Sequence, residues 1–221
     1  MKKTSIYIAW SFVLYPGIIY AQIVQSTDIE QIGIGNNASI DQTLGQENLS
    51  VIFQSGNSNN AIVTQAGSNN RSTVRQSGNN NSATVDQAMQ GNTYEVEQTG
   101  DNNVAVIDQT EVSGQSISVV QMGYQNGGTL TDTGYMNASN LYQTGVLNIN
   151  DVNQSGDNNG SIVFHNGSFN HTDIKQGSDD NFSFVMQDGE TNVAIIDQSA
   201  SGENISNVMQ SGVGNISTVR Q

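Results

Sequence analysis

An aliphatic residue recurs along most of the chain at a fixed place in a unit of 11 or 12 residues. In all eighteen units, Asn or Gln stands four positions before an Ile, Val or Leu, and sixteen of these eighteen residues are Asn. A small residue usually lies two positions after the Asn, and Gln ends every unit except those that end at Asp132 and His165. Alternate positions are therefore specified, which is typical of a β-strand with one defined face, whereas a helix would need a spacing of three or four.

Short glycine-containing segments, such as residues 55–58, separate these predicted strands. The pattern predicts eighteen seven-residue strands joined by four-residue turns, in which the Gly two positions after the Gln supplies a positive φ. In the three places where the unit is longer, the extra residue falls in the turn. The register between strands is therefore expected to be unchanged.

One such strand cannot bury its aliphatic side chain alone, so successive units must stack on one another. Two units per coil place residues 22 positions apart above each other and close a thin core between two sheets. We therefore expect an all-β, two-sheet parallel β-solenoid, or β-helix, of about nine coils with two strands each. At about 4.8 Å per coil, the rod would be roughly 43 Å long.

The inward positions form two predicted sets. The aliphatic core comprises Ile40, Ile52, Val63, Val74, Val85, Val96, Ile107, Val119, Val185, Ile196, Val208 and Val219. The amide ladder comprises Asn36, Gln42, Asn48, Gln54, Asn59, Gln65, Asn70, Gln76, Asn81, Gln87, Asn103, Gln109, Asn192, Gln198, Asn204, Gln210, Asn215 and Gln221. Each ladder amide can donate to one neighbouring coil and accept from the other. Four inward residues, Tyr94, Asp132, Asn150 and His165, depart from the pattern and predict weakness in the middle coils.

The two ends of the predicted rod carry no capping helix, proline or charged strand. The last unit, residues 215–221, follows the pattern to its final residue. Exposed strand edges pair with other chains unless they are blocked. We therefore expect copies to join end to end into a cross-β fibre, with strands perpendicular to the fibre axis.

Residues 1–21 are predicted to be a secretory signal, because Lys2 and Lys3 precede an apolar stretch and Ala21 precedes the expected cleavage site. The solenoid would then occupy residues 22–221, and the chain would not be a transmembrane protein, since the apolar stretch is shorter than a spanning helix needs. Loss of the two lysines changes the formal net charge from −14 to −16. This strong acidity argues against nucleic acid as the primary ligand. There is no Cys, so an exported chain must be stable without disulfides.

Apolar side chains also occur at outward positions, mainly in one of the two predicted sheets. We hypothesise that this face mediates lateral bundling or surface adhesion; the alternative is scattered exposed apolar residues with no role. The proposed lateral face comprises Phe53, Tyr142, Phe164, Phe182 and Phe184.

Other functions fit the pattern less well. No catalytic, metal or cofactor site is predicted, because the two histidines, His165 and His171, lie at different phases of the repeat and no acid pair recurs. The chain is therefore not expected to be an enzyme. An ice- or surface-binding solenoid adhesin would need regular outward Thr rows, which only Thr129 and Thr131 approach.

The segments Gln54–Gln65 and Gln98–Gln109 resemble curlin repeats, and the resemblance covers nearly all of residues 22–221. It implies a structural subunit of curli, the functional amyloid of Gram-negative bacteria: a pilus-like extracellular fibre that supports adhesion and biofilm. The subunit would pass through the periplasm and a dedicated outer-membrane pore to the cell surface. Its partners would be other copies of itself, a second curlin subunit, and the secretion and nucleation machinery.

Two features distinguish this chain from the family pattern. Only residues 22–24 separate the predicted signal from the first unit, where curlins usually carry a longer non-repeating stretch that guides secretion. Asn opens the strands of both predicted sheets, a trait of the minor, nucleating subunit, whereas the acidity and the regular last strand resemble the major subunit. The resemblance therefore leaves a fibre-forming and a nucleating subunit as alternatives.

Overall fold

A computed structural model of the chain describes residues 2–4, 25–42, 45–109 and 113–221. These ranges contain nineteen β-strands and no α-helix. The strands are β1 (Lys2–Thr4), β2 (Ser26–Ile32), β3 (Asn37–Asp41), β4 (Leu49–Asn57), β5 (Asn60–Gln65), β6 (Arg71–Asn79), β7 (Ser82–Gln87), β8 (Thr93–Asp101), β9 (Val104–Gln109), β10 (Ser116–Tyr124), β11 (Gly127–Asp132), β12 (Ala138–Val146), β13 (Ile149–Gln154), β14 (Gly160–Ser168), β15 (His171–Gln176), β16 (Phe182–Glu190), β17 (Val193–Gln198), β18 (Ile205–Val213) and β19 (Ile216–Arg220).

From β2 onward, the strands alternate between two sheets, so each pair of strands makes one coil. Sheet 1 has the order β1-β2-β4-β6-β8-β10-β12-β14-β16-β18, and sheet 2 runs from β3 to β19 through the odd-numbered strands. All pairings are parallel except that of β1 with β2. The predicted two-sheet parallel β-solenoid of nine turns is confirmed.

The register follows the repeat of the sequence. Val74 in one coil lies beside Val96 in the next, and Gln76 lies beside Gln98. Where a unit carries an extra residue, the paired positions remain equivalent, as with Gln98 and Gln121. The extra residue is thus absorbed between strands, as the sequence predicts.

The strands of the two sheets differ in length, which the repeat does not predict. From β4 to β18, each strand of sheet 1 has nine residues, whereas β5 to β17 in sheet 2 have six. The predicted uniform length of seven residues is therefore wrong. Strands of sheet 1 continue past their Gln because the next residues still pair between coils, as Gly145 does with Gly123 and Gly167. From β5 to β17, the strands of sheet 2 end at the Gln position, and the three units with an extra residue carry it after a strand of this sheet.

Turns throughout the rod place the residue immediately before the next inward Asn or Gln in the left-handed region. These residues have φ between 55° and 79°: Gly35, Glu47, Ser58, Asn69, Asn80, Gly91, Asn102, Gly114, Gln125, Met136, Leu147, Asn158, Phe169, Asp180, Thr191, Glu203 and Gly214. The Gly two positions after the Gln also has positive φ in the turns that follow sheet 1, such as 118° at Gly145. It does not at Gly134 or Gly156, which follow sheet 2. The expected role of this glycine is therefore wrong at those two turns.

The hydrophobic core contains one column of Ile, Val or Leu side chains from each sheet, meeting between the sheets, together with buried Ala residues such as Ala61 and Ala83. Buried and exposed positions alternate along the inner strands, as in β8 and β16. Ten of the twelve predicted core residues are buried, whereas Ile40 and Val219 are only partly buried. Those two lie on β3 and β19, the outermost strands of sheet 2, where a neighbouring coil covers only one side.

Candidate assembly surfaces

The inward glutamines form two ladders that run along the rod. In sheet 1, Nε2 of each Gln donates to Oε1 of the Gln in the following coil from Gln31 to Gln143, over 2.7–2.9 Å. From Gln54 onward, Nε2 also donates to a backbone carbonyl of the opposite sheet, as Gln54 does to Asn37 at 2.9 Å. Because every bond in this ladder points the same way, the ladder has a direction: its N–H donors face the C-terminal coils.

The inward asparagines of sheet 2 form a ladder that is unbroken from Asn36 to Asn215. In each step, Oδ1 of one Asn accepts from both the backbone N–H and Nδ2 of the Asn one coil later, as Asn126 does from Asn148, at 3.1 Å in each case. Nδ2 also donates to the turn glycine of the following coil, as from Asn148 to the Gly167 carbonyl at 3.0 Å. Asparagine therefore satisfies the turn glycine's carbonyl as well as linking the coils.

Substitutions interrupt the other ladders in the middle of the rod. At Asp132, one carboxylate oxygen accepts from Gln109 Nε2 at 3.1 Å, while Oδ1 is buried without a partner. At His165, Nε2 lies 2.8 Å from the hydroxyl of Thr172, while Nδ1 is buried without a partner. Both Asn150 amide atoms and the Tyr94 hydroxyl are also buried and unpaired. Burying polar atoms without partners costs free energy, so these coils carry a local penalty.

Burial also shifts the ionisation of the residues that interrupt the ladders. Burial raises the pKa of Asp132 to about 7, partly offset by the hydrogen bond from Gln109. Burial, and to a smaller extent the charge of His171, lowers the pKa of His165 to about 3. The pKa of the Tyr94 hydroxyl is raised by burial and by the charge of Asp132. The neutral form of each group is therefore favoured inside the rod.

The ends of sheet 2 are strand edges with complementary hydrogen-bonding groups. Directly after β3, Gln42 Oε1 is buried without a partner. In the next coil, the equivalent oxygen, Gln65 Oε1, accepts a hydrogen bond from Gln42 Nε2. At the other end, Gln221 Nε2 donates only a long bond of 3.4 Å to the Ile205 carbonyl. The Asn ladder likewise begins with the Asn36 N–H and ends with Asn215 Oδ1. One end thus offers what the other end accepts.

Sheet 1 ends differently at its N-terminal side. There, β1 pairs antiparallel with residues 29–31 of β2. β1 belongs to the predicted signal segment, and the rest of that segment lies outside the described residues. Removing residues 1–21 would leave β2 as the edge of sheet 1.

The outward face of sheet 1 carries an apolar cluster in its C-terminal half. Tyr142 and Phe164 stack with ring centroids 4.9 Å apart, and the ring centroids of Phe164 and Phe184 are 5.9 Å apart. Phe182 lies on the same strand as Phe184. Phe53 is separated from this cluster along its column by Arg75, Glu97 and Val120. The structure therefore brings together three of the five residues of the proposed lateral face, with Phe182 nearby on the strand of Phe184.

Nearer the N-terminus, sheet 1 is charged instead. Arg75 forms an ion pair with Glu95 at 3.0 Å, and both side chains are about half exposed. In sheet 2, Thr129 is flanked in its column by Val106 and Asp151. Outward threonines therefore do not form the continuous row that an ice-binding face would need.

The described residues contain no group of three His, Cys, Asp or Glu side chains arranged to hold a metal ion. Across the same ranges, no helix has the length and apolar character to cross a bilayer.

Sequence reasoning missed the left-handed residue before each inward Asn. Gly or Asn, the residues that adopt this conformation most readily, occupies eight of the seventeen positions, and this enrichment is the signal that could have revealed it. The other positions include Leu147, Phe169 and Thr191, which hide the signal because such side chains rarely adopt positive φ.

A comparison with protein families matches residues 45–78 and 56–88 to the curlin associated repeat. The two matches overlap and together cover β4 to β7 with their turns. No curated protein matches the chain. The matched units have the same inward Asn, aliphatic and Gln positions as most other units of the solenoid.

Proposed function

We propose that this curlin-repeat chain is a structural subunit of an extracellular curli-type fibre, in which copies join end to end. The repeat and the β-solenoid fold both fit such a subunit. One observation carries the proposal: the two ends of sheet 2 offer complementary groups, a donor at Gln221 and an unpaired acceptor at Gln42. Burial of an unpaired carbonyl oxygen is costly, so pairing with a second copy would stabilise the end of the rod.

The fibre would continue the inner arrangement of the subunit across each junction. Its strands would lie perpendicular to the fibre axis, and its amide ladders would pass from copy to copy. The ladder residues named from the sequence would thus act in assembly as well as in folding. A signal at residues 1–21 would direct export through the periplasm to the cell surface, where the fibre would support adhesion and biofilm.

The proposal is tested by thioflavin-T kinetics on purified residues 22–221, followed by X-ray fibre diffraction. We expect a lag and then growth. The product should give a meridional reflection at about 4.8 Å, from the strand spacing, and an equatorial reflection at about 10 Å, from the sheet spacing. A chain that remains a folded monomer at all accessible concentrations would contradict the proposal.

A nucleating role is a second candidate, because inward Asn opens the inner strands of both sheets. The same kinetics distinguish the two roles. A nucleator would grow without a lag and would shorten the lag of a second curlin, whereas a fibre-forming subunit would show a lag that its own seeds remove.

A further inference from the structure

The outward side chains of sheet 2 form a column whose first and last members have opposite charges. The paired positions run Asp41, Thr64, Asp86, Asp108, Thr131, Asn153, Lys175, Asp197 and Arg220. Asp41 is exposed on β3, and Arg220 is exposed on β19. These are the two outermost strands of the sheet.

We propose that copies stack head to tail, with β19 of one copy pairing in parallel with β3 of the next, so that Arg220 lies beside Asp41 of the following copy. This inference rests on the proposed fibre function and specifies the partner as a second copy in one register. The junction repeats the step found inside the rod, where equivalent positions of neighbouring coils lie side by side.

The direction of the ladders supports this polarity. A tail-to-tail contact would bring the Gln221 amide donors of two copies together and leave the Gln42 acceptors unpaired. A head-to-tail contact instead places Gln221 Nε2 against Gln42 Oε1, and Asn215 Oδ1 against the Asn36 N–H. Heterologous contacts of this kind do not produce closed dimers, and they generate open filaments when successive copies do not close into a ring.

Apolar side chains at the turns also match in this register. Val213 at the end of β18 is 72% exposed, and Ile34 in the turn after β2 is 78% exposed. Ile34 and Val213 occupy equivalent positions in the turns that follow sheet 1. The Ile34 N–H donates to Oδ1 of Asn57, the equivalent residue one coil later, and Val213 is the last residue at this position. Stacking would cover both side chains, whereas each is exposed in the single copy.

The test uses two variants, each with one charge at the junction reversed, first separately and then mixed. Arg220→Asp and Asp41→Arg should each raise the critical concentration for assembly about 5- to 20-fold at low salt, because an opposite-charge pair becomes a like-charge pair. Equimolar mixing of the two variants should restore assembly to near the wild-type value. In the mixture, every junction of an alternating filament joins opposite charges.

Matched controls separate the junction from net charge. Asp86→Arg and Lys175→Asp make equivalent charge reversals in the same column, but at positions inside the rod. They should change the critical concentration less than the junction variants. In a mixture of Lys175→Asp with Asp41→Arg, the Asp41→Arg copies should still be poorly incorporated into fibres, because residue 41 of those copies meets Arg220 at every junction. The changes in critical concentration caused by the junction variants should also become smaller in 1 M salt, where the Debye length is about 3 Å.

Fibres that form with unchanged critical concentration from Arg220→Asp and Asp41→Arg would overturn the proposed register while leaving the fibre function intact. Failure of the mixture to recover would overturn the head-to-tail arrangement, since a tail-to-tail junction cannot join residue 220 to residue 41. Absence of fibres from the wild-type chain would instead refute the fibre function itself.

Discussion

At the position where most coils carry Gln, Asp132 places a carboxyl group inside the rod. Its pKa is about 7 in the folded chain because of burial, against roughly 3.9 in an unfolded chain. The folded state therefore holds an extra proton between these values, so its stability should fall as the pH rises from about 4 to 7. Tyr94 lies near enough to Asp132 for the carboxylate charge, together with burial, to raise the pKa of the Tyr94 hydroxyl.

We expect Asp132→Asn to stabilise the monomer at pH 8, by up to about 4 kcal/mol, and to change its stability much less at pH 4. The Asn cannot ionise, so the part of the loss of stability that Asp132 causes on raising the pH should disappear. The contributions of Asp86 and Asp151, whose pKa values are also raised by burial, should remain. Urea unfolding of the monomer at several pH values measures this. An equal effect of the substitution at both pH values would show that Asp132 does not carry a buried charge.

His165 should respond to pH in the opposite direction and provides the matched comparison. Its pKa falls to about 3 on folding because of burial, so the unfolded chain takes up the proton first as the pH drops below about 6.5. Stability associated with His165 is thus lost on acidification. In the same experiment, His165→Gln should reduce the destabilisation between pH 6.5 and 3 and have little effect on the change between pH 7 and 8.

At the scale of the turn, glycine is required where coils approach most closely. A Cβ on Gly145 would lie 1.9 Å from the Gly167 carbonyl oxygen, and the φ of Gly145 is 118°. We expect Gly145→Ala to destabilise the monomer by roughly 2–4 kcal/mol, through both the clash and the backbone conformation. Gly127→Ala is the control, since its Cβ would meet no atom within 4 Å. Similar urea midpoints for the two variants would contradict this account of the turn.

The sequence predicts the strands, the coil of two units and the register, because the inward Asn, aliphatic and Gln residues recur once per coil in each sheet and a one-residue slip would turn them outward. It does not predict the longer strands of sheet 1. That extension depends on pairing between turn glycines of different coils, such as Gly145 and Gly167. Because the turns after both sheets contain glycine, the sequence does not distinguish the two kinds of turn. Nor does the repeat show that the amides within a ladder all point the same way, because each amide can donate and accept on either side.

At the scale of the whole molecule, the aromatic cluster of sheet 1 lies on one side of the rod and would form a row of patches along a fibre. If this face bundles fibres, Tyr142→Ser with Phe164→Ser should leave filament growth unchanged but reduce filament bundling and surface adhesion several-fold, because contiguous exposed apolar surface drives association. Electron microscopy and a surface-binding assay would measure these effects. Ile195→Ser, at an equally exposed position on sheet 2, is the control. Unchanged bundling and adhesion in the double variant would leave the aromatic cluster without this role.

The stacking of one coil on the next also sets how densely charge is arranged along a filament. Without Lys2 and Lys3, a formal charge of −16 is distributed over the nine coils. With about 4.8 Å per coil, this gives roughly one negative charge for every 3 Å of filament axis. Double-stranded DNA, with one charge per about 1.7 Å, retains a condensed layer of counterions. A filament of these rods would therefore behave as a polyelectrolyte that concentrates cations along its length, and the cations of the medium would help to determine how closely neighbouring filaments approach.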